Sequence, residues 1–191
     1  MTSESTTPTK PQQTEQWLLN RMQQAIVTML KSYAITEPVY GVILTYGTGL
    51  GEDLPPWVAV GTQRERQAFL KDAPQEAMDL MWDGEVLEIY DPIEALEDDG
   101  EFMDTCAEWS IDAHRSRRVD GSAAASDKLA ALMLRLCFSL NDIDWSKIFP
   151  TTADFVVTVC TTEGDGLWEN MAMLLPPERY DEMAAKGYLP E

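Results

Sequence analysis

Apolar residues recur at three- and four-residue intervals along several segments, which is the spacing of one face of an α-helix. From Thr14 onwards this stripe comprises Trp17, Leu18, Met22, Ile26, Met29, Leu30 and Tyr33. The same spacing makes 123–140 the most apolar helix, and we expect it at the centre of the core. Further helices are predicted over 63–70, 74–82, 102–118 and 176–185, with one helical turn at 93–96. Thr62 is placed to cap the helix that begins at Gln63.

Runs rich in β-branched and aromatic residues predict four strands, at 39–46, 57–62, 85–90 and 154–161. Within 85–90 the acids recur every third residue, so this run fits the alternation of a strand less closely than the others. The apolar segment 168–175 fits a helix or a strand equally. Together the elements predict an α+β fold with a mostly antiparallel sheet packed with helices.

The chain shows no internal repeat and no Gly/Ser-rich linker, so we predict a single domain over 14–191. Residues 1–13 are rich in Ser, Thr, Pro and Gln, which predicts a disordered tail. This tail does not resemble a secretory signal, and no stretch approaches the ~20 apolar residues of a membrane span. Cys106, Cys137 and Cys160 are scattered, which indicates reduced thiols. These features favour a cytoplasmic protein.

The stretch from Asp72 to Ala113 contains fifteen carboxylates and no Lys or Arg. Large apolar side chains, among them Trp82, Tyr90 and Trp109, are interleaved with these acids. A disordered acidic segment lacks such residues, because it cannot bury enough apolar surface to offset the entropy of ordering. We therefore expect this stretch to be folded and to carry a concentrated negative face.

The whole chain has 33 acidic and 14 basic residues and a net charge of −19. Such a charge disfavours direct binding to nucleic acid or to an anionic membrane surface. It favours a basic protein surface or a cation as partner. The alternative is an acidic protein whose charge serves only its solubility.

The sequence carries no recognisable catalytic or metal-binding signature. His114 is the only histidine, and three scattered cysteines offer no zinc-ligand spacing. The acidic turns 97–101 and 163–166 do not have the spacing of an EF-hand loop. The glycines of 47–51 follow a strand but precede Glu52 and Asp53, which would repel a phosphate. We predict no enzyme activity, no cofactor and no metal.

The mixture of acids and aromatics instead predicts a surface for a protein partner, since aromatic residues anchor interfaces and carboxylates steer a basic partner. The predicted aromatic anchors are Trp82, Tyr90, Trp109 and Trp168. The predicted electrostatic contacts are Glu52, Asp53, Glu94, Glu97, Asp98, Asp99, Glu101, Asp104, Glu163 and Asp165. The alternative for the tryptophans is that they fill the core.

The layout of a small, very acidic single domain resembles that of bacterial immunity proteins of contact-dependent and type VI toxin systems. The shared order is an amphipathic N-terminal helix, the segments VYGVILTYG and WVAVGT, a helical middle, then DFVVTVCTTEGDGLW and a PPERYDEMAAKGYLPE tail. The chain also resembles an uncharacterised bacterial domain family found near such loci. The resemblance implies stoichiometric binding to a cognate basic toxin, without turnover. Two other hypotheses stay open: an acidic mimic of nucleic acid that inhibits a DNA- or RNA-binding protein, and a metal-dependent enzyme.

Overall fold

The computed structural model describes residues 10–47, 54–120 and 125–190, with side chains over 12–47, 54–110 and 128–190. The helices in these ranges are α1 Lys10–Ser32, α2 Gln63–Asp72, α3 Ala77–Trp82, α4 Glu94–Glu97, α5 Gly100–Asp120, α6 Ala125–Asn141, α7 Leu167–Leu174 and α8 Pro177–Ala185. The strands are β1 Val39–Tyr46, β2 Trp57–Thr62, β3 Ile89–Asp91 and β4 Thr151–Thr161. Short 3₁₀ turns lie at Gly84–Val86 and Trp145–Lys147. No helix in the described ranges is long and apolar enough to cross a membrane.

The four strands form one sheet in the order β3-β2-β1-β4. β1 pairs with β2 and β2 pairs with β3 in antiparallel register, whereas β1 and β4 run parallel. The predicted α+β class is confirmed. The sheet itself is mixed, with two antiparallel pairs of strands and one parallel pair. A parallel pair needs a long crossover between its strands. Here the chain between β1 and β4 supplies it, and most of the helices lie within that connection.

Helices cover both faces of the sheet, because successive residues of a buried strand point to opposite sides. Val42 and Leu44 face the core formed with α1, α4, α5 and α6, which we call the α1 face. Tyr40 and Ile43 face a second core formed with α3, α7 and α8, which we call the α7 face. All residues of β1 are buried, as two covered faces require.

The open edge of β4 is bound by side chains instead of another strand. Asn141, Asn170 and Arg179 each hydrogen-bond to backbone groups of β4. An unpaired edge offers a template for strand addition by another chain. These three side chains satisfy part of that edge from within the molecule.

The element boundaries follow most of the predicted ones, but α3 begins at Ala77, three residues after its predicted start, and β4 begins at Thr151, three residues before its predicted start. α1 begins at Lys10, four residues before Thr14, and residues 1–9 of the predicted tail lie outside the described residues. The predicted strand at 85–90 is a 3₁₀ turn followed by the short β3. Segment 167–174, ambiguous by pattern, is a helix. The predicted cap is confirmed, since Thr62 and Glu65 form a capping box at the start of α2.

Candidate partner-binding cleft

A cleft of about 370 Å³ opens on the α7 face, at the edge of the sheet where the parallel strands β1 and β4 both end. We call it the acidic cleft. Its floor is formed by Thr45, Trp82, Cys160 and Leu167, which are all buried. Its walls carry Tyr90 from β3 and Trp168 from the first turn of α7, both of intermediate exposure. Three of the four predicted aromatic anchors therefore meet in one place.

Trp82 is held rigidly at the floor. Only 2% of its surface is exposed, and its indole Nε1 donates to the backbone oxygen of Tyr188 at 2.8 Å. Its ring meets the edge of Tyr40 at a centroid distance of 5.4 Å and an angle of 87°. Gly41 allows this position, because a Cβ there would lie 2.7 Å from the Trp82 ring. Trp82 thus forms the base of the cleft and does not protrude as an anchor.

Tyr90 and Trp168 supply the accessible aromatic walls. The Tyr90 hydroxyl lies 3.2 Å from Thr45 Oγ1, and its ring packs against Trp57 with centroids 5.0 Å apart. Trp57 is 41% exposed and was not among the predicted anchors. Trp57 and Ala59 point to the same face of β2, and Ala59 pairs with Tyr90 on β3. Given that pairing, the alternation of β2 places Trp57 beside Tyr90.

Four exposed carboxylates line the acidic cleft: Asp79, Asp83, Glu85 and Glu163. They come from α3, from the 3₁₀ turn that follows it and from the turn after β4. Among the described residues that line the cleft there is no Lys or Arg. The predicted contact Asp165 lies in the same turn as Glu163, and its backbone oxygen accepts from the Thr161 N–H at 3.1 Å. The cleft is therefore a concave site with negative charge at its rim and aromatic surface inside.

The thiol of Cys160 at the floor is protonated at neutral pH. Burial, with the nearby negative charge of Asp83, raises its pKa to about 12. A nucleophilic cysteine requires a lowered pKa and an electropositive setting. The environment of Cys160 has the opposite character, so this residue serves packing.

The predicted acids of α4 and α5 lie on the other side of the sheet. The exposed members of this set, which we call the α4–α5 acids, are Glu94, Glu97, Asp98, Glu101 and Asp104. Their helices are anchored in the α1-face core by Ile93, Leu96 and Phe102. The single acidic face expected from the sequence is thus divided into two surfaces, because the sheet passes between them.

Two further predicted contacts have roles within the fold. Asp99 forms an ion pair with Arg21 and accepts a hydrogen bond from the Phe102 N–H at 3.2 Å at the start of α5. Trp109 is 9% exposed and packs in the α1-face core, as the alternative for the tryptophans supposed. Glu52 and Asp53 lie outside the described residues.

Comparisons with protein-family models, with curated proteins and with solved structures find no match to this chain. Within the side chains described, no group of three or more His, Cys, Asp or Glu is arranged to hold a metal ion. The side chain of His114 falls outside that part of the chain. The functional proposal therefore depends on the geometry and charge of the acidic cleft.

Proposed function

We propose that this chain is an immunity or inhibitor protein that binds a basic bacterial toxin stoichiometrically, with the acidic cleft as its principal contact. The observation that carries the proposal is the cleft itself. It combines the exposed carboxylates of Asp83, Glu85 and Glu163 with the aromatic walls of Tyr90 and Trp168. No cationic side chain among the described lining residues neutralises it.

The chemistry of the cleft suits a protein interface. Aromatic residues in concave, desolvated positions contribute most of the binding energy of many interfaces, and surrounding charges set orientation and association rate. The α4–α5 acids provide charge on a separate surface, without an exposed aromatic partner from the predicted set. We therefore assign contact to the cleft and long-range steering to the whole negative exterior, which can raise association rates by ~10–10³-fold.

Two features favour binding through the acidic cleft over strand addition and over mimicry of nucleic acid. Strand addition at β4 is disfavoured, because Asn141, Asn170 and Arg179 bind backbone groups along that edge. Mimicry of nucleic acid requires carboxylates in an extended, regular row on one surface. The separation of the cleft carboxylates from the α4–α5 acids by the sheet supports that hypothesis less well.

Competition between sibling strains tests the function and does not require the toxin to be identified first. A strain from which the gene has been deleted should be outcompeted in contact with its parent, and a plasmid copy of the gene should restore its survival. A deletion strain that competes equally with its parent under toxin-producing conditions would contradict the proposal.

Charge-reversal variants then locate the contact. The cleft variant changes Asp79, Glu85 and Glu163 to Lys. The matched control changes Glu97, Asp98 and Glu101 to Lys on the opposite side of the sheet. Each variant moves the net charge from −19 to −13, so the two differ only in position. We expect the cleft variant to fail to restore survival and the control to restore it. Equal protection by both variants would remove the cleft from the contact.

A further inference from the structure

We infer that the acidic cleft receives the guanidinium group of an arginine side chain carried by the basic partner. This inference rests on the proposed function and names the chemical group that the cleft recognises. It follows from the aromatic walls, from the carboxylates and from a second site in the same molecule.

The walls of the cleft suit a flat cation. Tyr90 and Trp168 present aromatic surface on two elements that face one cavity. Aromatic faces attract cations through the ring quadrupole, and the planar guanidinium also stacks on them. Trp57, packed against Tyr90 at 5.0 Å between ring centroids, extends the aromatic surface toward the solvent.

The carboxylates favour arginine over other cations. Asp79, Asp83, Glu85 and Glu163 are exposed and line the same cavity. No ion pair involves any of the four among the described side chains. A guanidinium fork can bind a carboxylate through two parallel hydrogen bonds while its plane lies against a ring. An ammonium group is a more strongly hydrated point charge and cannot do both.

The chain already binds one of its own arginines in this way on the α7 face. The Arg66 guanidinium carbon lies 4.9 Å from the Tyr40 ring centroid and 4.4 Å from that of Tyr188. Its Nη1 donates to Asp154 Oδ2 at 2.7 Å. Two aromatic rings and a carboxylate thus hold a buried guanidinium. The acidic cleft is lined by the same kinds of group, aromatic side chains and carboxylates.

Titration of the full chain with N-acetyl-L-arginine methylamide tests the inference, with N-acetyl-L-lysine methylamide as the comparison. The readout is the indole N–H signal of Trp168 in a ¹H–¹⁵N spectrum, assigned with the variant W168F. We expect saturable shifts with the arginine compound and about fivefold weaker binding of the lysine compound, because the ammonium group lacks the second parallel hydrogen bond to a carboxylate. No saturable shift with arginine, or equal binding of both compounds, would overturn the inference.

Two variants localise the effect. Glu163→Gln should weaken arginine binding several-fold, because it removes a charged acceptor at the rim. The control Glu97→Gln removes the same charge on the α1 face and should leave binding unchanged. Equal loss in both variants would indicate binding through net charge alone and would overturn the inference. The survival assay is independent of this titration. If protection depends on the cleft but the cleft does not bind arginine, the proposed function stands and only the arginine contact is refuted.

Discussion

The side-chain amide of Asn141 binds the backbone of Val157 as a neighbouring strand would. Asn141 Nδ2 donates to the Val157 carbonyl oxygen at 2.7 Å, and Asn141 Oδ1 accepts from the Val157 N–H at 2.9 Å. The same Nδ2 also donates to the Cys137 oxygen within α6 at 2.9 Å. The last residue of α6 therefore closes part of the open edge of β4 and connects the helix to the sheet.

We expect Asn141→Ala to lower the free energy of unfolding by about 1–3 kcal/mol, because two backbone groups of the buried Val157 lose their partners. The freed edge should also promote self-association. Urea unfolding and light scattering measure the two effects. Asn170→Ala removes a single bond, to the Val159 oxygen, and serves as the comparison. An Asn141→Ala variant that is as stable and as monomeric as the Asn170→Ala variant would contradict this interpretation.

Two arginines of α2 should differ sharply in their effect on stability. Arg66 is buried and paired with Asp154, while Arg64 is exposed and paired with Glu37 and Glu88. Asp154→Ala leaves the guanidinium buried without a counter-charge, so we expect a loss of about 3–5 kcal/mol. Arg64→Ala should change stability little, since exposed ion pairs are screened by solvent.

Thermal and urea unfolding of both variants check this prediction. The double replacement Arg66→Met with Asp154→Leu should recover part of the loss, because no unpaired charge remains buried. Similar unfolding of the Asp154→Ala and Arg64→Ala variants would show that the buried pair does not stabilise the fold.

Protonation of Asp154 should lower the stability of the folded protein in acid. Burial opposes ionisation of this carboxyl, but the hydrogen bonds and charge of Arg66 outweigh it and hold the pKa of Asp154 below its usual value. The folded state then binds the proton more weakly than the unfolded state does. Its contribution is therefore complete above the ordinary pKa of about 3.9 and is lost as the pH falls through the lower folded-state value.

The measurement is the free energy of unfolding as a function of pH for the natural chain and for Asp154→Asn. We expect the natural chain to be more stable at neutral pH and the difference to shrink below about pH 4. Glu88 and Asp144 also have lowered pKa values and are present in both proteins, so their share cancels. A difference that stays constant down to about pH 2, well below the ordinary carboxyl pKa, would contradict the assignment to Asp154.

Two glycines should respond in opposite ways to substitution by alanine. A Cβ at Gly61 would lie 2.2 Å from the ring of Tyr40, which is fully buried and donates to the Met81 oxygen. Gly61→Ala should therefore cost about 1–3 kcal/mol through overpacking. A Cβ at Gly100, the first residue of α5, meets no atom within 4 Å.

Gly100→Ala should leave stability unchanged or raise it by up to about 1 kcal/mol, because alanine favours the helix. Chemical denaturation of the two variants under one set of conditions makes the comparison. Equal destabilisation by both would show that the close approach of Tyr40 is not what requires glycine at position 61.

The secondary structure was predictable wherever local pattern and local chemistry agree. β1 and β2 carry dense runs of β-branched and aromatic residues, and their predicted bounds match the observed ones. Thr62 caps α2 as expected, and Gly187 follows α8 with a φ of +74°, the left-handed conformation that glycine favours after a helix. The prediction of a strand over 85–90 was wrong over 85–88. Val and Ile residues match strand propensity, but the Asp83 side chain and the turn after it favour 3₁₀ geometry.

The candidate site was predictable in its residue types and only partly in its grouping. Trp82 and Tyr90 line one cleft with Glu163 and Trp168, although the first pair lies far from the second in the sequence. The α4–α5 acids are close to Trp82 and Tyr90 in sequence but lie across the sheet. Proximity along the chain therefore misled the prediction of a single face.

By itself the sequence determined most of the helices and strands, the α+β class and the excess of negative charge, because periodicity, turn chemistry and ionisation are properties of short segments and of composition. Only the tertiary structure decided which acids share a surface, which tryptophans are buried and that Arg66 meets Asp154 across 88 positions. These outcomes depend on the alternation of side chains across a sheet whose strands β1 and β4 are brought together by a long crossover. No local pattern records that pairing.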